Sequence, residues 1–381
     1  MSAPLIKGWC PGALRPMETG DGLVVRVRAH GGRLSQDQAR GLADLAKRHG
    51  NGLIDLSARA NLQLRGITDH AAIVGGLAEI GLIDADQASE TRRNILVTPF
   101  WRQDDGAQKL ARDLTEALAA SDLPLPGKFG FALDTGENPV LRDSSADIRI
   151  ERAGHGYHVL ADGALSSAPA TMRNAIATAL DLARWFVESG GVHDGRGRMR
   201  KHLAQGAALP ANFACPLEAA TPFSPSPGLT PQGRMVALEF GQIHAETLAA
   251  LANLAPLRLT PWRMLLLEGC DHQPALPGLI IAPDDPLLRV VACTGAPGCS
   301  QALGPVRDLA RQLAPSVPSG GMLHVSGCLK GCAHPGAADI TLVARGEDFA
   351  LGYDCKAQDA NHSSHPKADL LANPTLLMTR T

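Results

Sequence analysis

Several things are scarce in this sequence, and each scarcity excludes something. No charge of one sign prevails: the formal net charge is -2. The chain therefore carries no global basic field of the kind that draws nucleic acid. No apolar run reaches the roughly 18 residues that a membrane-spanning helix requires. The opening "MSAPLIKGWCPG" lacks the apolar core of a secretory leader, so a cytoplasmic location with reduced thiols is expected. There is no Walker spacing and no G-x-G-x-x-G after a strand, which leaves no nucleotide fold to propose. Aromatic residues make up only 4% of the 381, yet 45% are hydrophobic. That is enough for two or more cores, and for two or three domains.

Eight cysteines are present, too many to ignore and, in a reducing compartment, poor candidates for four disulfides. Cys10, Cys215, Cys270 and Cys355 are scattered and read as ordinary thiols. The other four are clustered. "VVACTGAPGCSQA" carries Cys293 and Cys299, and "HVSGCLKGCAHPG" carries Cys328 and Cys332. Each pair follows an extended apolar run, and "SQALGPVRDLARQLAP" between them has helical periodicity. The unit reads strand, loop, helix, strand, loop, which brings both cysteine loops to one edge of a parallel pair. Structural zinc usually shows short C-x2-4-C knuckles at both ends, whereas one gap here is five residues. Glycines in both loops let backbone amides approach sulfur closely. A 4Fe-4S cluster is the favoured occupant, with zinc and an unmetallated set as alternatives.

A second pattern is an internal repeat. "IDLSARANLQLRG" (54–66) aligns without gaps to "LRLTPWRMLLLEG" (257–269), and the segments upstream of both are also alike. Each copy reads strand, helix, strand, and the copies lie roughly 200 residues apart, too far for a solenoid. The Pro-rich stretch 220–233 is the natural linker. With 54–66 read as one period-two strand, Ser57, Arg59, Asn61, Gln63 and Arg65 share a face, and Ala58, Ala60, Leu62 and Leu64 take the other. Arg26 and Arg28 alternate with Val25 and Val27 in the same way. The matching face of the second copy is mostly apolar. A solvated sheet face would account for this. So would a pocket wall for a large polyanion, since the arginine fork suits carboxylates.

These residues resemble a known superfamily. The C-x5-C…C-x3-C arrangement, the duplicated module and "RANLQLRG" look like the sirohaem nitrite and sulfite reductases. Within it, "LRPMETGDGLVVRVR" and "LTPWRMLLLEG" look most like the precorrin-3B synthases of aerobic cobalamin biosynthesis. The resemblance implies a mixed αβ (α+β) fold with pseudo-two-fold duplication. Its parts are a ferredoxin-like half-domain over 1–85, a reductase-type αβ module over 86–219, a linker and second half-domain over 220–285, and a second module over 286–381. It also implies that Cys293, Cys299, Cys328 and Cys332 ligate a 4Fe-4S cluster. Arg26, Arg93 and Lys128 match active-site cations, and Arg28, Arg59, Asn61, Gln63 and Arg65 fall to substrate binding. The implied reaction is an oxygenation of precorrin-3A at C20 with γ-lactone formation. Its reagents are dioxygen and an external electron donor, either an NADH-linked reductase or a ferredoxin- or flavodoxin-like protein. A mononuclear non-haem iron is implied as well. The alternative is a sirohaem-dependent nitrite or sulfite reductase. Gly130, two residues past Lys128, departs from the reductases, which carry a lysine or asparagine there. A bare electron carrier would not need the cationic face.

Three further segments complete the reading. "GGVHDGRGRMRKH" (190–202) is expected to be a surface loop that at most adds cations to a carboxylate rim. The preceding "ATMRNAIATALDLARWFVESGG" reads as an amphipathic helix ending at Gly190. The tail from Asp359 is expected to be loosely ordered.

Overall fold

The computed structural model describes residues 10–217 and 221–378. The leader reading of residues 1–9 and the boundary at 219 lie outside the described residues. In chain order, the first stretch holds β1 (Met17–Thr19), β2 (Gly22–Val27), β3 (Arg33–Leu34), α1 (Gln36–His49), β4 (Leu53–Leu56), β5 (Leu62–Ile67), α2 (His70–Glu79) and α3 (Gln87–Arg92). A six-stranded sheet follows: β6 (Ile95–Val97), α4 (Ala107–Ala120), β7 (Phe131–Asp134), β8 (Ile148–Ala153), β9 (Gly156–Ala161), β10 (Ser166–Ala170), α5 (Ala175–Glu188), α6 (Met199–Ala204) and β11 (Cys215–Pro216). The first pattern then recurs as β12 (Gly228–Thr230), β13 (Gly233–Leu238), β14 (Gln242–His244), α7 (Ala245–Leu254), β15 (Leu257–Leu259), β16 (Met264–Glu268) and β17 (Leu279–Ile280). The last sheet comprises β18 (Val290–Ala292), α8 (Arg307–Leu313), β19 (Leu323–Ser326), β20 (Ala338–Arg345), β21 (Asp348–Cys355) and β22 (Ser363–Pro366), with α9 (Lys367–Ala372) after it.

Local chemistry explains the elements. Ser35 and Gln38 form a capping box at the start of α1, worth about 1 kcal/mol. Asp37 in the first turn and Lys47, Arg48 and His49 in the last turn suit the helix dipole. Its buried residues Ala39, Leu42, Ala43 and Ala46 keep the i, i+3, i+4, i+7 spacing.

The stretch 54–66 is not one strand. It is a hairpin in which β4 and β5 run antiparallel, with Ile54 opposite Leu64. Ser57 Oγ accepts from the Asn61 amide at 3.2 Å, and Ala60 takes φ 52°. The turn breaks the alternation, so Arg59 and Asn61 do not share the sheet face of Gln63 and Arg65. The second copy turns at the same place: β15 and β16 pair antiparallel, and Arg263, which aligns with Ala60, takes φ 59°.

The two copies exchange edge strands. β14 pairs with β4, placing Ile243 opposite Ile54, while β3 pairs with β15, placing Leu34 opposite Leu257. One core spans both copies, with Leu42 and Ile54 from the first and Leu248 and Leu265 from the second, all fully buried. The half-domains are therefore one pseudo-two-fold unit.

The two larger sheets share a topology as well. β6, β7 and β8 are parallel and lead into an antiparallel meander; β18, β19 and β20 do the same. The tail is ordered as far as Met378, against expectation. β22 pairs with β21, and Leu370 and Leu377 are fully buried in the core of the last sheet. Apolar burial of two leucines outweighs the polar composition around them. Among the described residues, no helix is long and apolar enough to cross a membrane.

Candidate functional site

The parallel pair β18–β19 delivers Cys293 to the end of one strand and Cys328 just past the end of the next. The Gly327 amide donates to Cys293 Sγ at 3.1 Å. Burial pushes the Cys293 thiol up, and Cys299 and Cys328 add to the rise, so these sulfurs share one corner. Cys332, the most exposed of the four, is raised by partial desolvation and by the other three thiols, against Lys330.

The rest of the fold grips this corner by its carbonyls. Arg65 donates to Gly298 O at 2.8 Å, beside Cys299. Arg307 donates to Cys293 O at 3.2 Å, and Arg263 to Ala333 O at 2.6 Å, beside Cys332. Arg65 is itself anchored between Asp21 at 2.9 Å and Asp55 at 3.2 Å. The β1–β2 turn lies directly on the loop: a Cβ at Gly20 would stand 2.6 Å from Pro297 O, so only glycine fits there. His324, on β19, is fully buried with neither ring nitrogen hydrogen-bonded. Burial, with His334 and Arg263 nearby, pushes it down to about 4, so its ring is neutral at physiological pH.

Among the described residues, no three His, Cys, Asp or Glu side chains stand close enough to hold a metal ion as they are. Four thiols in one corner, with a backbone amide directed at a sulfur, form a donor set that fits an iron–sulfur cluster. Among the described residues, no His and carboxylate set for a mononuclear iron is assembled.

A second site lies at the end of β2 in the first half-domain, where Arg28 follows the strand. It is a cavity of about 390 Å³, within the range of small-molecule sites. Arg15, Arg28, Lys128, Arg196 and Arg198 line it, and Glu90 is the one carboxylate in its wall. Arg28, just past β2, is 6% exposed and pairs with Glu90 at 2.9 Å. Burial lowers Arg28 to about 10, with Glu90 acting against the shift, so it stays charged at neutral pH. Arg198 Nε donates to Asp147 at 2.8 Å, and the fully buried Asp147 also accepts from the Met199 and Gly130 amides. Lys128 has no ion-pair or hydrogen-bond partner among the described residues. Arg26 Nε is buried without a partner.

Cys10 also lines this cavity. Burial alone would raise its thiol, but the charges of Arg26, Lys128 and Arg59, and a hydrogen bond from Arg26, outweigh burial and lower it. Arg59 reaches the same place from the β4–β5 turn, with Nη2 3.3 Å from Ser145 Oγ. A row of side chains links the two sites across the sheet: Arg26 stands opposite Gln63, and Gln63 opposite Asp55. Two strand spacings, about 10 Å, separate the cavity side of that row from the Asp55 side, which faces the cysteine loops.

Of the residues the sequence pointed to, Arg28 and Lys128 line the cavity, the charges of Arg26 and Arg59 act on Cys10 in its wall, and Gln63 lies on the row between the sites. Asn61, 7% exposed, faces a small recess with Arg59 and Gly130. Two arginines are engaged elsewhere. Arg93 forks onto Asp84 with both contacts at 2.7 Å and donates to Arg28 O. Arg65 belongs to the cysteine corner. Sequence reasoning read Cys10 as an ordinary thiol, did not single out Asp21 or Asp55, and took Arg196 and Arg198 only as part of a surface loop that could add cations to a carboxylate rim. The Gly/Arg loop was the available signal for the last two: residues 195–198 are cavity wall, not a free surface loop. Nothing in the sequence marks Cys10.

Comparison with known proteins agrees with this geometry. Residues 15–80 match the nitrite/sulfite reductase ferredoxin-like half domain. The chain is 31% identical to a precorrin-3B synthase of Sinorhizobium sp, over 92% of this chain and 83% of that protein. It is 28% identical to a ferredoxin–nitrite reductase of Synechococcus elongatus, over 86% of this chain and 77% of that one. The Mycobacterium tuberculosis NirA protein superposes with a TM-score of 0.64 at 18% identity, over 92% of this chain and 79% of that one, a likeness of fold. With the duplicated half-domains, the cysteine corner and the cation-lined cavity in place, the chain belongs to the precorrin-3B synthase family.

Proposed function

We propose that the chain is an oxidoreductase that hydroxylates precorrin-3A at C20, a ring A acetate closing a γ-lactone, with dioxygen and electrons from an external donor. The observation that carries this reading is the cavity: five cations and one carboxylate line it, on a chain whose relatives include a precorrin-3B synthase. A precorrin is a polycarboxylate macrocycle, and charge-assisted contacts to arginine forks and a lysine suit its side chains. In this reading Lys128 and Arg26 hold carboxylates directly. Arg28 and Arg198, fixed by Glu90 and Asp147, set the distance between the carboxylates they meet. A cluster held by Cys293, Cys299, Cys328 and Cys332 would supply electrons one at a time.

The sirohaem reductase alternative needs a further polar side chain two residues past Lys128. Gly130 provides none, and a Cβ there would stand 3.2 Å from Asn94 O. The deciding experiment uses the purified protein. Acidified-acetone extraction should release no isobacteriochlorin pigment, and precorrin-3A with reductant should consume oxygen. Stoichiometric sirohaem together with nitrite- or sulfite-dependent oxidation of a reduced dye would replace this reading with the reductase.

A further inference from the structure

The Gly/Arg loop has two working sides. His193 and Arg196 exchange backbone hydrogen bonds of 2.8 and 2.9 Å around a two-residue turn, in which Asp194 and Gly195 both take positive φ. Such a turn suits a tight hairpin. Its base is packed onto α5: a Cβ at Gly191 would stand 2.3 Å from the Phe186 ring, and one at Gly197 2.1 Å from Gly191 O. The loop is thus held as a partition, with the cation-lined cavity on one side. On the other side lies a second cavity of about 360 Å³. His193, Arg196, Arg198, Lys201, His202 and Gln205 give it its polar lining, and no carboxylate is among its lining residues. Arg196, Gly197 and Arg198 line both cavities, so one layer of chain separates them. Arg198 is held by Asp147. The side chains of Arg196 and Lys201 have no ion-pair or hydrogen-bond partner among the described residues.

We propose that this second cavity is an anion subsite of the same binding site, taking a carboxylate arm of the macrocycle whose other carboxylates meet Arg28 and Lys128. The inference rests on the polycarboxylate reading above. Size points to one ligand spanning both cavities. A cavity of about 390 Å³ suits a drug-sized molecule, and a tetrapyrrole with its carboxylate arms is larger, so some arms must lie beyond the first cavity. Charge points the same way. Cations on both faces of one loop raise each other's energy, and an anion on each face relieves the repulsion. Arg196 and Lys201 are exposed, so each contact is worth only a modest factor in affinity, up to about fivefold. The subsite therefore selects by position: a macrocycle is oriented by which arm can reach past the partition.

The test uses the full-length protein with its cluster, under anaerobic conditions, and uroporphyrin III as the probe. Binding is followed by the shift of the probe's absorbance. A water-soluble carbodiimide then couples each bound carboxylate to a lysine amine it touches, forming an amide and releasing the carbodiimide as its urea. Peptide mass spectrometry should find the porphyrin on Lys201 as well as on Lys128, and not on Lys356, which is exposed past β21. Lys201→Gln should weaken binding by up to about fivefold, and Lys201→Arg should restore it. Inorganic phosphate at equal ionic strength should leave the Lys201 adduct in place. If the probe couples to Lys128 but not to Lys201, or to Lys201 no more than to Lys356, the inference is wrong and the cavity reading stands. The same holds if phosphate removes the Lys201 adduct and spares the Lys128 adduct, because the subsite then takes a separate anion. If the probe neither binds nor couples to Lys128, the cavity reading falls and takes this inference with it.

Discussion

The two larger sheets have nearly the same backbone and opposite chemistry. Thr98 follows β6 as Cys293 follows β18, and each amide donates to the neighbouring strand, Thr98 to Leu133 O and Cys293 to Val325 O. Asp147 accepts from Gly130 N as Asp339 accepts from Met322 N. At these matching strand ends the loop side chains differ. Where the last sheet carries thiols, the first carries Thr98 and the buried carboxylate of Asp134, whose Oδ2 accepts from the Val140 and Leu141 amides. A parallel pair with two strand-end loops is thus a neutral frame. Soft sulfur donors suit one copy to iron, while in the other local amides reach only Oδ2 of Asp134 and its buried Oδ1 has no hydrogen-bond partner. In the first sheet the buried Asp147 instead orients Arg198 at the cavity.

The largest effect expected from breaking this comparison is at Cys293. Cys293→Ser should abolish the broad visible absorption and most of the bound iron and sulfide. Thr98→Ala, at the matching position, should leave iron content unchanged. Full iron and sulfide in the Cys293→Ser protein would remove this residue from the ligand set.

Next is the grip on the cysteine loop. Arg65→Ala leaves Asp21 and Asp55 without their buried partner and should cost about 3–5 kcal/mol in urea unfolding. Iron should also leave the protein faster, because Gly298 O loses its donor. A midpoint like wild type would mean that the network does not hold the loop.

Asp134 offers a pH-dependent contrast. Burial, with Glu151 nearby, raises it to about 6 against the two amides that lower it. The fold therefore favours the protonated form. This contribution is fully present below about pH 4 and lost as pH rises through 6, at most about 3 kcal/mol. Asp134→Asn should remove that part of the stability–pH profile. The matching residue, Ser326, has no charge to titrate. An unchanged difference in stability between pH 4 and pH 7 would contradict the assignment.

The smallest effect concerns the cavity itself. Lys128→Ala should lose about 1.5–3 kcal/mol of binding, or roughly ten- to a hundredfold in kcat/KM, with the cluster spectrum intact. Turnover equal to wild type in the folded variant would place Lys128 outside the site.

Much of this was legible beforehand. The four clustered cysteines, their strand-end loops and the duplication were readable because each depends on spacing along the chain. The hairpin at 57–61 was missed because its residues mimic a period-two strand, and a left-handed Ala60 leaves no sequence mark. The tail was misjudged because two leucines docking into a distant core are invisible to local composition. The arginines were seen as cations, but their partners Asp21, Asp55, Asp84 and Glu90 were not weighed. Which charges are free depends on contacts between segments far apart.

By itself, then, the sequence determined the residue types: thiols in two glycine-containing loops, a repeat with a polar face in one copy, and a surplus of arginine there. Tertiary structure decided their roles. Strand exchange between β3 and β14 fused two repeats into one unit, and carboxylates brought from other segments fixed Arg65 and Arg93 away from the cavity. Folding also placed Cys10 among Arg26, Arg59 and Lys128. The physical reason is that an ionic group's role is set by its neighbours in space and by their desolvation, and neither is encoded within a local window of sequence.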